Sequence, residues 1–191
     1  MPSRMYEVRW HGRGGQGVVT SSELLALAAL REGKAVYHAP EFGPERRGAP
    51  VRAYTRISEE LIELHSGIYS PDAVVVIDPS LQKEVPLITQ GLKEGGLIVV
   101  NAKVPDGQLV EAARKFSAIL WYVDAYGIAM EIFGRPLYNT PMLGAFVKAS
   151  GLVGIDTVLE VVRERFGRDP KLAEMNIEAV TRGYERVKKY G

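Results

Sequence analysis

The sequence predicts an α/β fold: a three-layer α/β/α sandwich on a mostly parallel sheet, with a Rossmann-like first strand–loop–helix unit and a helical C-terminal third. Three observations predict it. Short apolar runs alternate with helical patterns over residues 6–133. The runs at 73–77, 97–101 and 118–123 are continuous rather than alternating, as strands covered on both faces are. Beyond Asn139 the patterns are helical only.

The first strand spans 6–10 and ends in His11. It runs into Gly12-Arg13-Gly14-Gly15-Gln16-Gly17 and then a helical pattern over about 21–31. Gly12, Gly14 and Gly17 satisfy G-x-G-x-x-G between a strand and a helix, the setting that motif requires. Glycines let the chain turn sharply and let a ligand approach the main chain. The free N–H groups opening the helix face the same spot, where the helix dipole favours an anion. Two readings are open: a phosphate- or pyrophosphate-binding loop, and a tight turn that holds nothing. Gly33 closes the helix as a C-terminal cap.

A short second strand is expected at 35–39. A dinucleotide fold would end it with an acid that holds a ribose. The first acid here is Glu41, displaced beyond Pro40, which counts against a nicotinamide dinucleotide. Residues 41–50 form a charged loop rich in glycine and proline, with Arg46 and Arg47 adjacent. Arginine forks match phosphate and carboxylate oxygens, so this is either a solvated surface loop or an anion contact on the ligand-binding edge of the sheet.

Residues 51–58 alternate with period two, with Val51, Ala53, Thr55 and Ile57 on one face, which predicts a strand with one wet or partner-facing side. Another short strand is expected at 61–65, with His65 at the surface or in a hairpin. After the strand at 73–77 comes a helix over about 80–92, broken near Pro86. Then follow the strand at 97–101, a helix near 107–116, the strand at 118–123 and a helix at 126–133.

In the C-terminal third, Asn139-Thr140-Pro141-Met142 opens a helix over 143–149, with Thr140 as its cap and Pro141 at the first helical position, ending at Gly151. A second helix spans 155–166. The last runs from 170 to about 190, with Leu172, Ile177, Val180, Tyr184 and Val187 on one stripe. Lys188 and Lys189 suit its C-terminal dipole. No repeat or linker divides the chain, so residues 1–191 are expected to form a single domain.

Composition narrows the function classes. With no cysteine, the chain makes no disulfide, thiolate zinc site, cysteine nucleophile or iron–sulfur ligation of its own. A net charge of +1 gives no field to attract nucleic acid or a membrane surface. No apolar run nears the roughly 18 residues that span a bilayer, and the N-terminus lacks a signal-peptide core, so a cytoplasmic location is expected. His11, His38 and His65 have no partner at ligand spacing, so no metal is expected. No residue stands out as a general acid, base or nucleophile.

The segment from His11 to Gly17 resembles the G-x-G-G-Q-G signature of the gamma subunit of 2-oxoacid:ferredoxin oxidoreductases. The segment FGPERRGAPVR, from Phe42 to Arg52, is similar to a second signature of that family, and NTPMLGA, from Asn139 to Ala145, to a third. The resemblance runs in order from about Tyr6 to about Tyr190 and is strongest to the pyruvate and branched-chain 2-ketoisovalerate branch. It implies a multisubunit enzyme that oxidatively decarboxylates a 2-oxoacid on thiamine diphosphate. The acyl group passes to coenzyme A, and an electron pair passes through 4Fe-4S clusters to ferredoxin. Thiamine diphosphate would lie between alpha and beta subunits and most clusters in a delta subunit, while the gamma subunit helps bind coenzyme A.

Carried onto this sequence, the resemblance assigns Gly12, Arg13, Gly14, Gly15, Gln16 and Gly17 to the coenzyme. The N–H groups from Gly14 to Gly17 would cradle its pyrophosphate, and Gln16 would donate an amide hydrogen bond. Arg46 and Arg47 would take up phosphate, and Asn139 and Thr140 would face the same cleft. A contact of the arginine loop with the alpha or beta subunit, through Glu41 or Glu45, stands beside that assignment, as does helix capping for Asn139 and Thr140. The isolated chain is then expected to be inactive. Two other functions compete: an independent dinucleotide-binding dehydrogenase and a non-catalytic interaction scaffold.

Overall fold

A computed structural model describes residues 5–41 and 48–191. One sheet holds β1 (Tyr6–Arg13), β2 (Ala35–Glu41), β3 (Pro50–Ser58), β4 (Ala73–Val76), β5 (Leu97–Asn101), β6 (Ile119–Val123) and β7 (Lys188–Lys189). Their spatial order is β2-β3-β1-β4-β5-β6-β7. The central β1, β4, β5 and β6 run parallel. The β2–β3 hairpin and the two-residue β7 flank them antiparallel.

Continuous apolar strands need cover on both faces, and β4 and β5 have it, while β6, beside the two-residue edge strand, is only half-buried, with Ile119 exposed. Val75 and Val99 point into the larger core, under α1 (Val18–Arg31), α4 (Ala125–Phe133), α5 (Asn139–Ser150), α6 (Ile155–Phe166) and α7 (Pro170–Arg186). Val74, Val76, Ile98 and Val100 point the other way, under α2 (Val85–Thr89), α3 (Gly107–Lys115) and a 3₁₀ turn at Pro79–Lys83. These are the three predicted layers. Among the described residues, no helix is long and apolar enough to cross a membrane.

Trp10 anchors the larger core, edge-on to Phe146 with ring centroids 5.3 Å apart. Its indole N–H donates to Thr55 Oγ1 at 3.1 Å, and the Thr55 hydroxyl donates to Ser22 O at 3.1 Å. The buried polar atoms of β1, β3 and α1 thereby satisfy one another. Gly33, at φ +83°, closes α1 as predicted. Its N–H bonds Leu30 O and that of Lys34 bonds Ala29 O, the paired Schellman bonds.

Several expectations are corrected. Helix α1 starts at Val18 rather than Ser21, because Gly17 in the left-handed region turns the chain directly into the helix. Residues 61–65 form no strand; the carbonyls of Leu64, Ser66 and Gly67 turn inward onto the Arg56 guanidinium instead. That segment also covers the side of β3 expected to be wet, so Arg56 is buried. The 80–92 helix does divide near Pro86, into the 3₁₀ turn and α2.

Helix α5 begins at Asn139 with Tyr138 as its N-cap and no side-chain cap, and Pro141 is its third residue, not its first. Helix α7 ends at Arg186. Lys188 and Lys189 pair with Tyr122 and Trp121 of β6 rather than extending it. Of its predicted stripe, Val180 and Val187 are buried and Ile177 and Tyr184 pack half-buried against the core, but the helix's most buried positions are the small Ala173, Asn176, Ala179 and Gly183 beside Val180. The cause is close approach: a Cβ on Gly144 would strike Val180 O, and one on Gly183 would strike Pro141 O.

Candidate functional site

The predicted glycine loop lies at the C-terminal ends of β1 and β4, where the chain leaves the parallel sheet on opposite sides. Open α/β sheets bind ligands at such a switch point. The loop is held tightly from within. Gly14 N donates to Ala49 O at 3.0 Å and Gln16 N to Arg13 O at 3.1 Å. Arg13 N donates to Gln16 Oε1 at 2.7 Å. Gly15 sits at φ +89° and Gly17 at φ +76°, a region glycine enters without strain.

Two of the signature glycines are explained by the chain itself. A Cβ on Gly12 would strike Val18 Cγ2, and one on Gly17 would lie 2.8 Å from Asn139 Cβ. The second contact joins the first motif to the third, and Ser21 Oγ reinforces it by donating to Asn139 O at 3.0 Å. Among the described residues, the N–H groups of Gly15 and Gly17 have no hydrogen-bond acceptor. They lie at the positive end of α1, whose first turn carries no acid.

Asp78 is the hub beneath the loop, and the residue-by-residue reading of the sequence passed over it. It ends the apolar run of β4, and its carboxylate caps the 3₁₀ turn by accepting from Ser80 N at 2.8 Å. It also accepts from Gln16 Nε2 and the Ser80 hydroxyl. Arg13 Nε stands 3.7 Å away, while Arg13 Nη2 donates to Ser80 Oγ and Nη1 to Gly48 O. Burial alone would raise the Asp78 pKa, but the hydrogen bonds of Ser80 and Gln16 and the charge of Arg13 outweigh it and hold the group below its usual value. The available signal was an acid before a proline at the end of a buried strand.

The predicted residues therefore separate. Gly12, Arg13, Gly14, Gly15, Gln16, Gly17 and Asn139 come together at this edge. Both ends of the Gln16 amide are spent inside the loop, so the side chain shapes the site rather than reaching outward. Thr140 is buried away from the cleft, its hydroxyl donating to Asn176 Oδ1 at 3.0 Å between α5 and α7, so it neither caps its helix nor faces the loop. Arg46, Arg47 and Glu45 lie outside the described residues. Glu41 ends β2, which β3 separates from β1, and it binds Arg52 through two 2.8 Å contacts. That removes the ribose position of a dinucleotide fold.

Asn101 closes the edge from the other side. Its Nδ2 donates to Ile77 O at 2.9 Å, and its Oδ1 accepts from Ala125 N at 3.1 Å, stapling β4, β5 and the start of α4. His11 points to the opposite sheet face. Burial first, then the charges of Arg9 and Arg52, lower its pKa to about 3, so it is a neutral acceptor. With Asp78 held ionised and His11 neutral and turned away, this edge suits binding and positioning rather than proton transfer. Among the described residues, no group of histidines and acids could hold a metal ion.

Residues 7–186 match the family model for pyruvate ferredoxin/flavodoxin oxidoreductase. The chain is 47% identical over 186 residues to the pyruvate/ketoisovalerate oxidoreductases common subunit gamma of Thermococcus kodakarensis, a match covering 97% of this chain and 99% of that one. The crystal structure of pyruvate oxidoreductase subunit PORC from Thermotoga maritima superposes with a TM-score of 0.86 at 39% identity, over 98% of this chain and 99% of that one. The 2-oxoglutarate:ferredoxin oxidoreductase of Magnetococcus marinus, solved with 2-oxoglutarate, coenzyme A and succinyl-CoA, shares the fold at a TM-score of 0.76 and 21% identity, over 95% of this chain and 31% of that one.

Proposed function

Since the chain belongs to the pyruvate ferredoxin/flavodoxin oxidoreductase family, as a gamma subunit of a 2-oxoacid:ferredoxin oxidoreductase, we propose that it works as a single domain in a cytoplasmic multisubunit enzyme and lends its sheet edge to coenzyme A. The reaction is the oxidative decarboxylation of pyruvate or a related 2-oxoacid to acyl-CoA and CO2, with the electron pair reducing ferredoxin. Thiamine diphosphate supplies the electron sink and 4Fe-4S clusters the path to ferredoxin, both in alpha, beta and delta subunits. A chain without cysteine supplies no thiolate to a cluster.

What this chain contributes is binding. The N–H groups of Gly15 and Gly17, at the positive end of α1, meet the pyrophosphate. Arg13 answers the charge of Asp78, which would otherwise repel an anion there. Gln16 fixes the loop and Asn139 packs behind it. Thr140 supports that arrangement from the α5–α7 interface. Arg46 and Arg47 add phosphate contacts from the second signature.

The observation that carries this reading is the pair of glycine amides left without acceptors among the described residues, beside a loop whose other groups are spent. In the assembled enzyme, replacing Arg46 and Arg47 by Ala should raise KM for coenzyme A about tenfold or more, as losing a charged hydrogen bond does. Thiamine-dependent decarboxylation should be unaffected. Unchanged coenzyme A kinetics would remove the phosphate assignment. Turnover of a 2-oxoacid by the isolated chain would remove the accessory role.

A further inference from the structure

The face of β1, β3 and β2 turned away from the large helical core is a lattice of polar side chains. In register across the three strands, Glu7 stands beside Arg56 and Tyr37, Arg9 beside Tyr54 and Ala39, and His11 beside Arg52 and Glu41. Two of the three arginines have a carboxylate. Arg56 Nε lies 2.9 Å from Glu7 Oε1, and Arg52 takes Glu41, which also accepts from the Tyr54 hydroxyl.

Arg9 is the exception. It is only 2% exposed, yet among the described residues no carboxylate pairs with it. Its Nε donates to the neutral His11 Nε2 at 2.9 Å and its Nη2 to Ile88 O at 3.0 Å, while Nη1 has no acceptor among the described residues. Glu41 attracts it only across the cavity, and a buried cation without a direct carboxylate contact is costly, so folds rarely keep one without a use. Burial first, then repulsion from Arg52, outweigh the attraction of Tyr54 and Glu41 and push Arg9 down to about 10, so it remains charged at neutral pH.

Arg9 lines a cavity of about 500 Å³ together with Tyr37, Glu41, Arg52, Tyr54 and Gln90. That volume suits a small molecule rather than a lone ion. We propose that this cavity binds a small molecule through an oxyanion, a phosphate or carboxylate group, with Arg9 supplying the charge at its floor and Arg52 and Gln90 its wall. The site is separate from the glycine loop and stands whether or not coenzyme A binds there.

Titrating the full-length chain with inorganic phosphate, and separately with formate, tests the site. The readouts are thermal unfolding and the Arg9 Nε–H resonance. The expected result is a Tm that climbs with concentration and a shifted Arg9 resonance for at least one of the two anions. Apparent affinity should fall about tenfold or more in Arg9→Met, which loses a charged hydrogen bond, and less in Arg52→Gln, where Glu41 is left to repel the anion. A response to neither anion, or equal Tm responses in wild type and variants, overturns the site. If Arg9→Met fails to fold, Arg52→Gln and the wild-type resonance decide by the same criteria. In the assembled complex, persistence of the response supports a small-molecule ligand. Its loss on assembly overturns that, since a partner's carboxylate would then occupy the cavity.

Discussion

The strands on the two sides of β1 are buried in opposite ways. Toward β4 and β5, both faces are apolar: Val74, Val75, Val76, Ile98, Val99 and Val100 are all fully buried. Toward β3 and β2, one face is apolar, with Ala53 and Ile57, and the other buries Arg9, His11 and Arg56. Strand β1 belongs to both, with Val8 and Trp10 on one side and Arg9 and His11 on the other. The parallel half is stabilised by apolar burial, which is indifferent to pH. The antiparallel wing depends on charges that must stay matched and hydrogen-bonded, which is where a ligand or a proton can intervene.

The sharpest way to break the contrast is to unmatch one wing charge. Glu7→Gln leaves buried Arg56 without its carboxylate and should cost about 4 kcal/mol in urea unfolding at neutral pH. The parallel half should instead be vulnerable to shape. Gly183→Ala forces a Cβ onto Pro141 O between α5 and α7, and should cost about 3 kcal/mol, equally at pH 7 and pH 5.

Acid tests the contrast directly. The folded His11 pKa of about 3 lies below its unfolded value, so the unfolded chain takes up the proton first. Stability should therefore fall as pH drops from roughly 6.5 toward 3, by about 2–3 kcal/mol at pH 4.5, and His11→Gln should flatten that slope. Hydrogen exchange should report the loss first in β2 and β3, with β4 and β5 protected longer. Asp78, held below its usual value, adds a smaller loss only at more acid pH, as it is protonated through its folded pKa. The smallest effect is expected outside both regions. Glu164→Gln on α6 removes the exposed pair with Arg31 of α1 and should leave Tm unchanged in a thermal scan.

Much of this was legible in the chain. The runs at β4, β5 and β6 named themselves by continuous β-branched and apolar residues, and α6 spans the residues its period predicts, Ile155–Phe166. The glycine loop was legible as a turn between strand and helix. Its internal wiring was not, because Gln16 is partnered by Asp78, 62 residues away. Thr140 shows the same limit. Its local signals, an uncharged hydroxyl before a proline at a helix start, all indicate a cap, yet Asn176 of α7 takes it. The 61–65 segment looks like a strand by composition and is drawn out of the sheet by the Arg56 guanidinium.

By itself, the sequence determined the alternation of strands and helices and the apolar layer boundaries, since each rests on spacings of a few residues that chain geometry repeats faithfully, and its three motifs carried the resemblance that implied the kind of subunit. Only the tertiary structure decided that β3 inserts between β1 and β2, that Asp78 sits under the loop and that Arg9, which no carboxylate among the described residues directly pairs, lines a cavity. Those facts depend on which distant strands pair and in what register. Register sets the neighbour of every charge, and no local period encodes it.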